Sequence, residues 1–339
     1  MRIAVVGGGV IGLACAWRLA QHGAQVVLYD GAPEAQEASW AAAGMLAPHH
    51  EAERADDLWR LGVASLARWS AFAAELAAPV DFHAHGGLIA ALDAADASTL
   101  TAKQQFAADN GLIATRLDRQ TLRLMEPQLT GCNEALLLPG AQVNPRLLTS
   151  ALRAACTHLG VELRYGTAVT RLDGLADQVV LASGAWTPAL ARLAGIDLTG
   201  EPVKGQLLRF AVPDGLLRHF IHCHHAYVVP RTGAGLVVGS TMVWSGFDKT
   251  EDAAAIERLA DNARRLLPTL RTAPIVETWT GLRPRLHSGL PVLARVRDDL
   301  VIATGHFRNG ILLTPITAAA VVDLCFDTEC GVDLRPFRL

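Results

Sequence analysis

The chain of 339 residues is longer than one hydrophobic core usually supports, so we expect two domains. Hydrophobic residues make up 51% of the sequence and charged residues 19%, which indicates a folded enzyme rather than a disordered chain. The net charge of -3 at pH 7, with no basic block and no uncharged apolar stretch of about 18 residues, excludes nucleic acid and a membrane as expected partners.

The amino-terminal segment MRIAVVGGGVIGLACAW allows two interpretations. A signal peptide has a basic start, an apolar run and a small-residue cleavage site, and Arg2, the run from Ile3 and the Ala14-Cys15-Ala16 triplet imitate these features. However, a G-x-G-x-x-G motif directly follows a predicted strand, Ile3 to Val6, and begins a helical pattern that continues to Gln21. We therefore interpret the segment as the start of a dinucleotide-binding unit and expect no export signal.

Each residue of this unit has a physical role in holding a dinucleotide. Gly7 allows the tight turn, Gly9 lets the backbone approach a pyrophosphate, and Gly12 lets the helix pack closely against the strand. A second predicted strand, Gln25 to Tyr29, leads to Asp30, whose carboxylate can accept hydrogen bonds from ribose hydroxyls. The glycine motif alone is weak evidence, but the strand, loop, helix, second strand and acid together predict a dinucleotide site.

The central part of the chain predicts further helices and a strand. Small residues in ASWAAAGMLAP would let the backbone lie against something flat or bulky, although an ordinary alanine-rich helix start is the alternative. Apolar residues at helical spacing cover Leu58 to Leu76 and, more sparsely, Thr99 to Asn110, with a strand-like GGLIAAL between them. The segment VNPRLLTSALRAACTHLG predicts a helix with Asn144 as its N-cap and Gly160 just past its end.

The remaining predicted elements alternate between strands and helices. They are strands over Val161 to Tyr165 and Gln178 to Leu181, an antiparallel sheet over Pro202 to Gly239, a helix over Asp252 to Leu267, a strand over Leu300 to Thr304 and a helix over Leu313 to Phe326. The loop GHFRNG joins the last strand to the last helix. Its position directs the partial positive charge of the helix amino end toward the end of the strand, which suits the anionic ring of a reduced flavin more than a nicotinamide.

Signatures of α/β structure at both ends of the chain therefore flank a β-rich middle. We predict an α/β fold in which a Rossmann-like cofactor domain, assembled from separated segments, carries an inserted antiparallel-sheet α+β substrate domain. The predicted cofactor domain comprises residues 1–82, 134–195 and 290–339, and the predicted substrate domain comprises residues 83–133 and 196–289.

The cysteines point to a reducing compartment. They are scattered and show no C-x-x-C spacing: Cys15, Cys132, Cys156, Cys223, Cys325 and Cys330. An even number allows disulfides, but in a chain of this length without an export signal we expect reduced thiols buried as small hydrophobic groups. A cytoplasmic location follows as an expectation.

Two arginines stand in turns that could aim them at a ligand. Arg283 lies in WTGLRPRL and Arg308 in ATGHFRNGIL, and a guanidinium can clamp a carboxylate with two hydrogen bonds. A solvated surface arginine is the ordinary alternative for either. Tyr227, at the edge of an apolar run, could extend its hydroxyl into a pocket or simply pack in the core.

Other kinds of catalytic site are not supported by the sequence. The segment HCHHAYVVPR contains His222, His224 and His225, but no acidic residue or cysteine at ligand spacing completes a metal site, so we predict none. There is no G-x-S-x-G motif, and a pair of catalytic carboxylates cannot be picked out.

Taken together, these segments resemble the D-amino acid oxidase family of flavoproteins, and within it the glycine oxidase branch associated with thiamine biosynthesis. The matching text is spread in order over nearly the whole chain: VVGGGVIGLACAWRLAQHGAQVVLYD, AAAGMLAP, PVKGQLLRF, AYVVPR, VVGSTM with GFDK behind it, GLRP and GHFRNGILLTP. The resemblance implies non-covalent FAD and two-electron oxidation of an amine α to a carboxylate. It also implies reoxidation by dioxygen to hydrogen peroxide, and a homo-oligomer.

The resemblance also implies roles for individual residues. Arg283 matches the carboxylate-binding arginine, Tyr227 a tyrosine that hydrogen-bonds the same carboxylate, and Arg308 a second arginine near the flavin, while His225 and Met242 match residues that line the pocket. The residues expected to hold FAD are Gly7, Gly9, Val10, Ile11, Gly12, Asp30, Ala42, Ala43, Gly44, Met45, Ser183, Gly184, Arg308, Asn309, Gly310, Ile311 and Leu312.

The chain departs from the family pattern at several positions. Trp40 stands where relatives usually carry a small residue, which predicts either a narrower approach to the flavin or a side chain turned outward. Val243 and Trp244 replace a usual acidic pair after Met242, which predicts a more apolar pocket lid and a substrate larger than glycine. Asp30 replaces the commoner glutamate but keeps the acceptor, and Lys204 replaces a frequent arginine.

The leading hypothesis is an FAD oxidase that deaminates glycine or a small D-amino acid, in thiamine biosynthesis. An FAD dehydrogenase for a D-amino acid or a secondary amine such as sarcosine, with another electron acceptor, is the alternative. A cofactor-binding protein without turnover and an NAD-linked dehydrogenase are weaker alternatives, the first because Arg283 and Tyr227 are retained.

Overall fold

A computed structural model describes residues 1–33, 36–223 and 226–339. In the described chain the strands are β1 (Arg2–Val6), β2 (Gln25–Tyr29), β3 (Met45–Leu46), β4 (Gly87–Ala91), β5 (Thr115–Leu117), β6 (Glu134–Leu138), β7 (Ala141–Gln142), β8 (Glu162–Arg164), β9 (Gln178–Leu181), β10 (Gly200–Phe210), β11 (Phe220–Cys223), β12 (Ala226–Arg231), β13 (Gly235–Gly239), β14 (Ile275–Leu286), β15 (Val292–Arg297) and β16 (Leu300–Thr304). The helices are α1 (Val10–Gln21), α2 (Ala38–Ala41), α3 (Pro48–Glu51), α4 (Asp57–Leu66), α5 (Trp69–Ala74), α6 (Ala94–Asp109), α7 (Arg119–Met125), α8 (Pro145–His158), α9 (Thr187–Arg192), α10 (Ala253–Leu266) and α11 (Thr314–Phe326).

The first sheet has six strands in the order β15-β16-β9-β1-β2-β8. Its central strands are parallel, and β15 is an antiparallel edge strand. The apolar run in β1 is buried from Ile3 to Val6, as is typical of a parallel strand covered on both faces. Helices α1, α8 and α11 pack together on this sheet, as expected for the predicted Rossmann-like domain.

The second sheet has eight strands in the order β14-β10-β13-β12-β11-β4-β6-β5. All neighbouring pairs are antiparallel except β11 with β4, which confirms the antiparallel sheet expected from Pro202 to Gly239. Helix α10 buries Ile256, Leu259 and Ala263 in the core cluster of this sheet. The fold is therefore the predicted α/β class, with two large sheets that each carry a separate core and a small antiparallel pair, β3 with β7.

The division of strands between the sheets bears on the predicted domain segments. All six strands of the first sheet lie within residues 1–82, 134–195 and 290–339. Strand β6 also lies within 134–195, but it pairs with β4 in the second sheet, Gly87 opposite Leu138. The domain boundaries stay a prediction, and the pairing of β6 indicates that the boundary near residue 134 belongs further along the chain.

Some helices and strands agree with the sequence predictions and others differ from them. The side chain of Asn144 accepts a hydrogen bond from the Arg146 N–H and caps α8 as predicted. The single helix expected over Leu58 to Leu76 is instead two helices, α4 and α5, because the chain turns at Ala67 and Arg68, where no glycine or proline marks the end. Strands β5, β6 and β15 and helix α7 carry short or mixed patterns and were not predicted.

The expectations about disulfides and membrane-spanning helices can be compared with the structure. The six cysteines all lie within the described ranges and form no disulfide bond, and five of them are buried. Within the described ranges, no helix is long and apolar enough to cross a membrane.

Candidate active site

A cavity of about 580 Å³, a volume typical of ligand sites, takes its lining from both sheets and the loops around them. The predicted site residues that line it are Gly7, Gly9, Val10, Ile11, Asp30, Ala42, Ala43, Gly44, Met45, Ser183, Gly184, Tyr227, Arg283, Arg308, Asn309, Gly310 and Ile311. Gly12, Met242 and Leu312 are not among the lining residues, and His225 lies outside the described part of the chain.

The passage from β1 into α1 requires glycine at two positions, Gly7 in the loop and Gly12 in the first turn of the helix. Gly7 has φ of 118°, and a Cβ there would lie 2.4 Å from the carbonyl oxygen of Ala182. A Cβ at Gly12 would lie 1.8 Å from the carbonyl oxygen of Gly7. Gly12 therefore supports the cradle through close packing of helix on strand, which explains why it does not itself face the cavity.

The carboxylate of Asp30 is held in place at the end of β2. Its Oδ2 accepts a hydrogen bond of 2.6 Å from the Gly8 N–H, and its Oδ1 accepts one of 2.8 Å from the Ala32 N–H. Each carboxylate oxygen can accept a second bond, so Asp30 keeps acceptor capacity toward the cavity. Ser39, which the sequence analysis missed, also lines the cavity, and its Oγ accepts a hydrogen bond from the Val10 N–H in the first turn of α1.

The small residues from Ala41 to Met45 form a wall of the cavity with their backbone. The Trp279 indole donates to the carbonyl of Ala41, and the Arg231 guanidinium donates to the carbonyl of Ala42 at 2.7 Å. Gly44 has φ of 94°, and a Cβ there would lie 1.9 Å from the carbonyl oxygen of Val143. These contacts fix a bare strip of chain against the cavity, as its small residues predict.

Trp40 does not narrow the cavity. The Cζ atom of Arg146 lies 3.6 Å from the centroid of the Trp40 ring, and the ring also packs against Trp279. The Trp40 side chain is therefore turned away from the cavity lining. This is the second of the two outcomes expected from that departure.

Arg283 lies within strand β14, not in the turn expected from the sequence, and its guanidinium is in the cavity wall. One terminal nitrogen donates to the Thr241 carbonyl at 3.1 Å and the other to the Ser240 hydroxyl at 2.6 Å. Burial lowers the pKa of Arg283, while the side chain of Tyr227 acts in the opposite direction. An arginine remains charged in such surroundings, so the site holds a partly desolvated cation close to a tyrosine hydroxyl.

Two glycines that the sequence analysis missed make room for these two side chains. A Cβ at Gly205, on β10, would lie 2.3 Å from both terminal nitrogens of Arg283. A Cβ at Gly239, opposite Tyr227 in the β12–β13 pair, would lie 2.5 Å from the Tyr227 hydroxyl. A glycine within a predicted strand often marks such a close approach, so KGQLLRF and VVGS contained a signal for both.

The loop before α11 brings Arg308 to the same cavity. Its guanidinium forms an ion pair of 2.9 Å with Glu51, a lining residue that the sequence analysis also missed. In the same loop, burial lowers the pKa of His306 to about 4. The Nε2 atom of His306 lies 3.0 Å from the Thr317 hydroxyl oxygen. His306 is therefore neutral near pH 7.

The apolar lid expected from Val243 and Trp244 lies at the surface. Met242, Val243 and Trp244 are 47%, 39% and 53% exposed, and none of them is a lining residue. The backbone of Val243 instead pairs with that of Lys204 on β10, beyond the end of β13. The assignment of Met242 to the pocket stays a prediction, and the size of the cavity depends on other residues.

Metal chemistry finds no support in the described part of the chain. No group of three His, Cys, Asp or Glu side chains among those residues could hold a metal ion. His222 is described, and burial lowers its pKa, whereas His224 and His225 lie outside the described residues.

The cavity fits FAD. Its lining contains three features in sequence: a glycine turn in which a Cβ would collide with backbone, the fixed Asp30 carboxylate at the end of β2, and a wall of bare backbone. The residues that would hold FAD are those of the cradle, the Ala42–Met45 strip and the loop before α11.

A Rossmann-type domain joined to an antiparallel sheet, with a cavity of this kind between them, defines a flavin-dependent oxidoreductase. The sequence matches the model of the DAO family, described as FAD dependent oxidoreductase, over residues 2–324. The chain belongs to this family and uses FAD.

Named relatives and solved structures agree with this assignment. The chain is 34% identical to a glycine oxidase of Pseudomonas putida, covering 99% of this chain and 97% of that protein. It is also 34% identical to a "Bifunctional protein ThiO/ThiG" of Nostoc, over 99% of this chain and 54% of that longer protein. The crystal structure of glycine oxidase from Geobacillus kaustophilus is similar with a TM-score of 0.93 at 32% identity, covering 100% of this chain and 98% of that one.

Proposed function

We propose that this enzyme oxidises glycine or a small D-amino acid to the imine, with dioxygen reduced to hydrogen peroxide. In the overall reaction the amine loses two electrons and two protons, dioxygen gains them, and water hydrolyses the imine to a 2-oxo acid and ammonia. The observation that carries the proposal is the Arg283 guanidinium, fixed in the wall of the FAD cavity close to Tyr227. The glycine oxidase relatives support glycine as the substrate.

Arg283 and Tyr227 would bind the substrate carboxylate. The guanidinium supplies charge and planar donor geometry, and the phenol supplies one further donor. Because Thr241 and Ser240 hold the guanidinium in place, the carboxylate is bound in one orientation, which fixes the direction of the Cα–H bond. FAD, when bound, supplies the two-electron, hydride-accepting chemistry.

The described lining residues provide no evident general base. The carboxylates of Asp30 and Glu51 are engaged by backbone N–H groups and by Arg308, and Glu37 pairs with Lys249. His306 is neutral, but its ring nitrogen lies 3.0 Å from the Thr317 hydroxyl. This supports a reaction in which the amine loses its proton to water before oxidation.

The remaining expectations are part of the same proposal. We propose that the enzyme acts in thiamine biosynthesis, as the resemblance to that branch implies and the ThiO/ThiG relative supports. A cytoplasmic location and a homo-oligomer are proposed with it. The residue roles, including that of His225, are proposed as the sequence analysis states them, and so are the domain boundaries, apart from the one near residue 134 that the pairing of β6 moves further along the chain.

The alternative is an FAD dehydrogenase that passes electrons to an acceptor other than dioxygen. The two are separated by oxygen consumption and peroxide release with glycine, sarcosine and a panel of D-amino acids, each repeated with an artificial acceptor in the absence of oxygen. Peroxide formed in proportion to oxygen consumed supports the oxidase. Turnover with the artificial acceptor alone supports the dehydrogenase and contradicts the proposal.

A further inference from the structure

Arg308 already has a carboxylate partner in the cavity. The Glu51 carboxylate lies 2.9 Å from the Arg308 guanidinium, and both residues line the cavity together with Arg283 and Tyr227. The Glu51 charge raises the pKa of Arg308. It also acts to raise the pKa of Arg283, whereas Arg308 acts to lower it, so the three charges are close enough to influence one another. The positive charge of Arg308 is therefore already balanced by the Glu51 carboxylate before a substrate binds.

The turn that carries Glu51 is held in place by neighbouring elements. Lys103, on α6, donates to the carbonyl of Ala52 at 2.5 Å, directly after α3. The Trp59 indole, on α4, lies 3.2 Å from Nδ1 of His49, and the His50 ring packs 4.9 Å from that of Phe220. A carboxylate on a turn fixed at these points is a built part of the pocket wall rather than a mobile surface group.

The balance of charge at this end of the cavity matches one substrate carboxylate. Among the lining residues here, Arg283 and Arg308 contribute two positive charges and Glu51 one negative charge, which leaves a single excess positive charge. Outside the lining, the opposite charges of Lys103 and Glu53 lie near this group and offset each other. A substrate with one carboxylate and a neutral amine brings this group to neutrality. A second carboxylate would lie unpaired, or beside Glu51, and burying an unpaired charge is costly.

We propose that Glu51 is a specificity-determining residue, whose ion pair with Arg308 leaves Arg283 as the carboxylate anchor and restricts the site to amines that carry one carboxylate. Among the described lining residues, Arg283 is the arginine without a carboxylate partner. The inference rests on the proposed function, because it takes Arg283 as the substrate anchor.

The test compares the binding of acetate and malonate, which the enzyme does not oxidise, to the purified holoenzyme by calorimetry. In Glu51→Gln, Arg308 loses its partner, so the preference for malonate over acetate should rise about 10-fold relative to wild type. Glu53→Gln is the matched control, because Glu53 is an exposed acid two residues away that is not a lining residue. It should leave the preference unchanged.

A second variant keeps the inference testable if Glu51→Gln fails to retain FAD. Arg308→Gln leaves Glu51 without its partner, so the preference for malonate should fall below that of wild type, and the double variant should lose the gain seen in Glu51→Gln. An unchanged preference in these variants, or an equal change in Glu53→Gln, overturns the inference. Acetate binding to Arg283→Ala tests the carboxylate anchor separately. If this variant binds acetate as tightly as wild type does, the proposed function fails, even if the Glu51 variants change the preference for malonate over acetate.

Discussion

The two ends of the cavity are built by different means. The cofactor end is made mainly of backbone, with Gly7, Gly12 and Gly44 at positions where a Cβ would collide with a carbonyl oxygen. The substrate end is made of side chains, with Tyr227 on β12 and Arg283 on β14 meeting across the two intervening strands, β10 and β13, of the second sheet. A backbone surface suits a pyrophosphate and a flat ring that many enzymes share, whereas side chains can be exchanged to suit one substrate.

This difference predicts that binding of FAD and binding of substrate can be disturbed separately. Substitutions at the substrate end should lower turnover while the protein stays yellow. Substitutions in the cradle should loosen FAD. The three predictions below test this separation, beginning with the largest effect.

Arg283→Ala removes the proposed carboxylate anchor. We expect kcat/KM to fall about 10³-fold with FAD still bound, because the substrate carboxylate loses its charged, oriented partner. Steady-state kinetics and the flavin spectrum measure both quantities. Arg285→Ala is the matched control, two residues along β14 and outside the cavity lining, and should change neither. Near-normal activity in Arg283→Ala contradicts the site assignment.

Gly205→Ala places a methyl group where the Arg283 guanidinium lies. Since that Cβ would lie 2.3 Å from the guanidinium nitrogens, the arginine has to move, and we expect kcat/KM to fall about 10- to 100-fold with FAD retained. Gly331→Ala is the control, because a Cβ there meets its nearest neighbour at an ordinary 3.7 Å. Equal losses of activity in the two variants would show that Gly205 has no special relation to the anchor.

Asp30→Asn changes the cofactor end. An amide cannot accept hydrogen bonds at both of its terminal atoms, so either the Gly8 or the Ala32 N–H loses its partner, and the dissociation constant of FAD should rise about 10-fold. Fluorescence titration of the apoprotein with FAD measures this. Asp177→Asn is the control: Asp177, directly before β9, accepts a hydrogen bond from the Arg2 N–H at the start of β1, outside the cavity lining. Unchanged FAD affinity in Asp30→Asn would remove Asp30 from the cofactor site.

The same contrast explains how much could be predicted from the sequence. The strand, glycine turn, helix and acid of the cradle lie within the first 30 residues, so their spacing alone reports the geometry. Helix α8 was also readable, because Asn144 and Gly160 mark its ends chemically. The fold class followed from the order of such elements.

The substrate end could not be derived in the same way. Glu51 meets Arg308 across more than 250 positions of sequence, and Gly205 meets Arg283 through the register of β10 with β14. Register and long-range contact depend on how the sheets assemble, which local pattern does not determine. The proposed role of Arg283 came from a resemblance of motifs, whereas Glu51 lay in a segment that showed no motif.

Anaerobic mixing of the purified holoenzyme with glycine, followed at the absorbance of oxidised flavin, tests the central claim most directly. We predict that the band bleaches with glycine or a small D-amino acid, and that it recovers with formation of peroxide when air is admitted. A flavin band that none of these amines bleaches would contradict the proposed function.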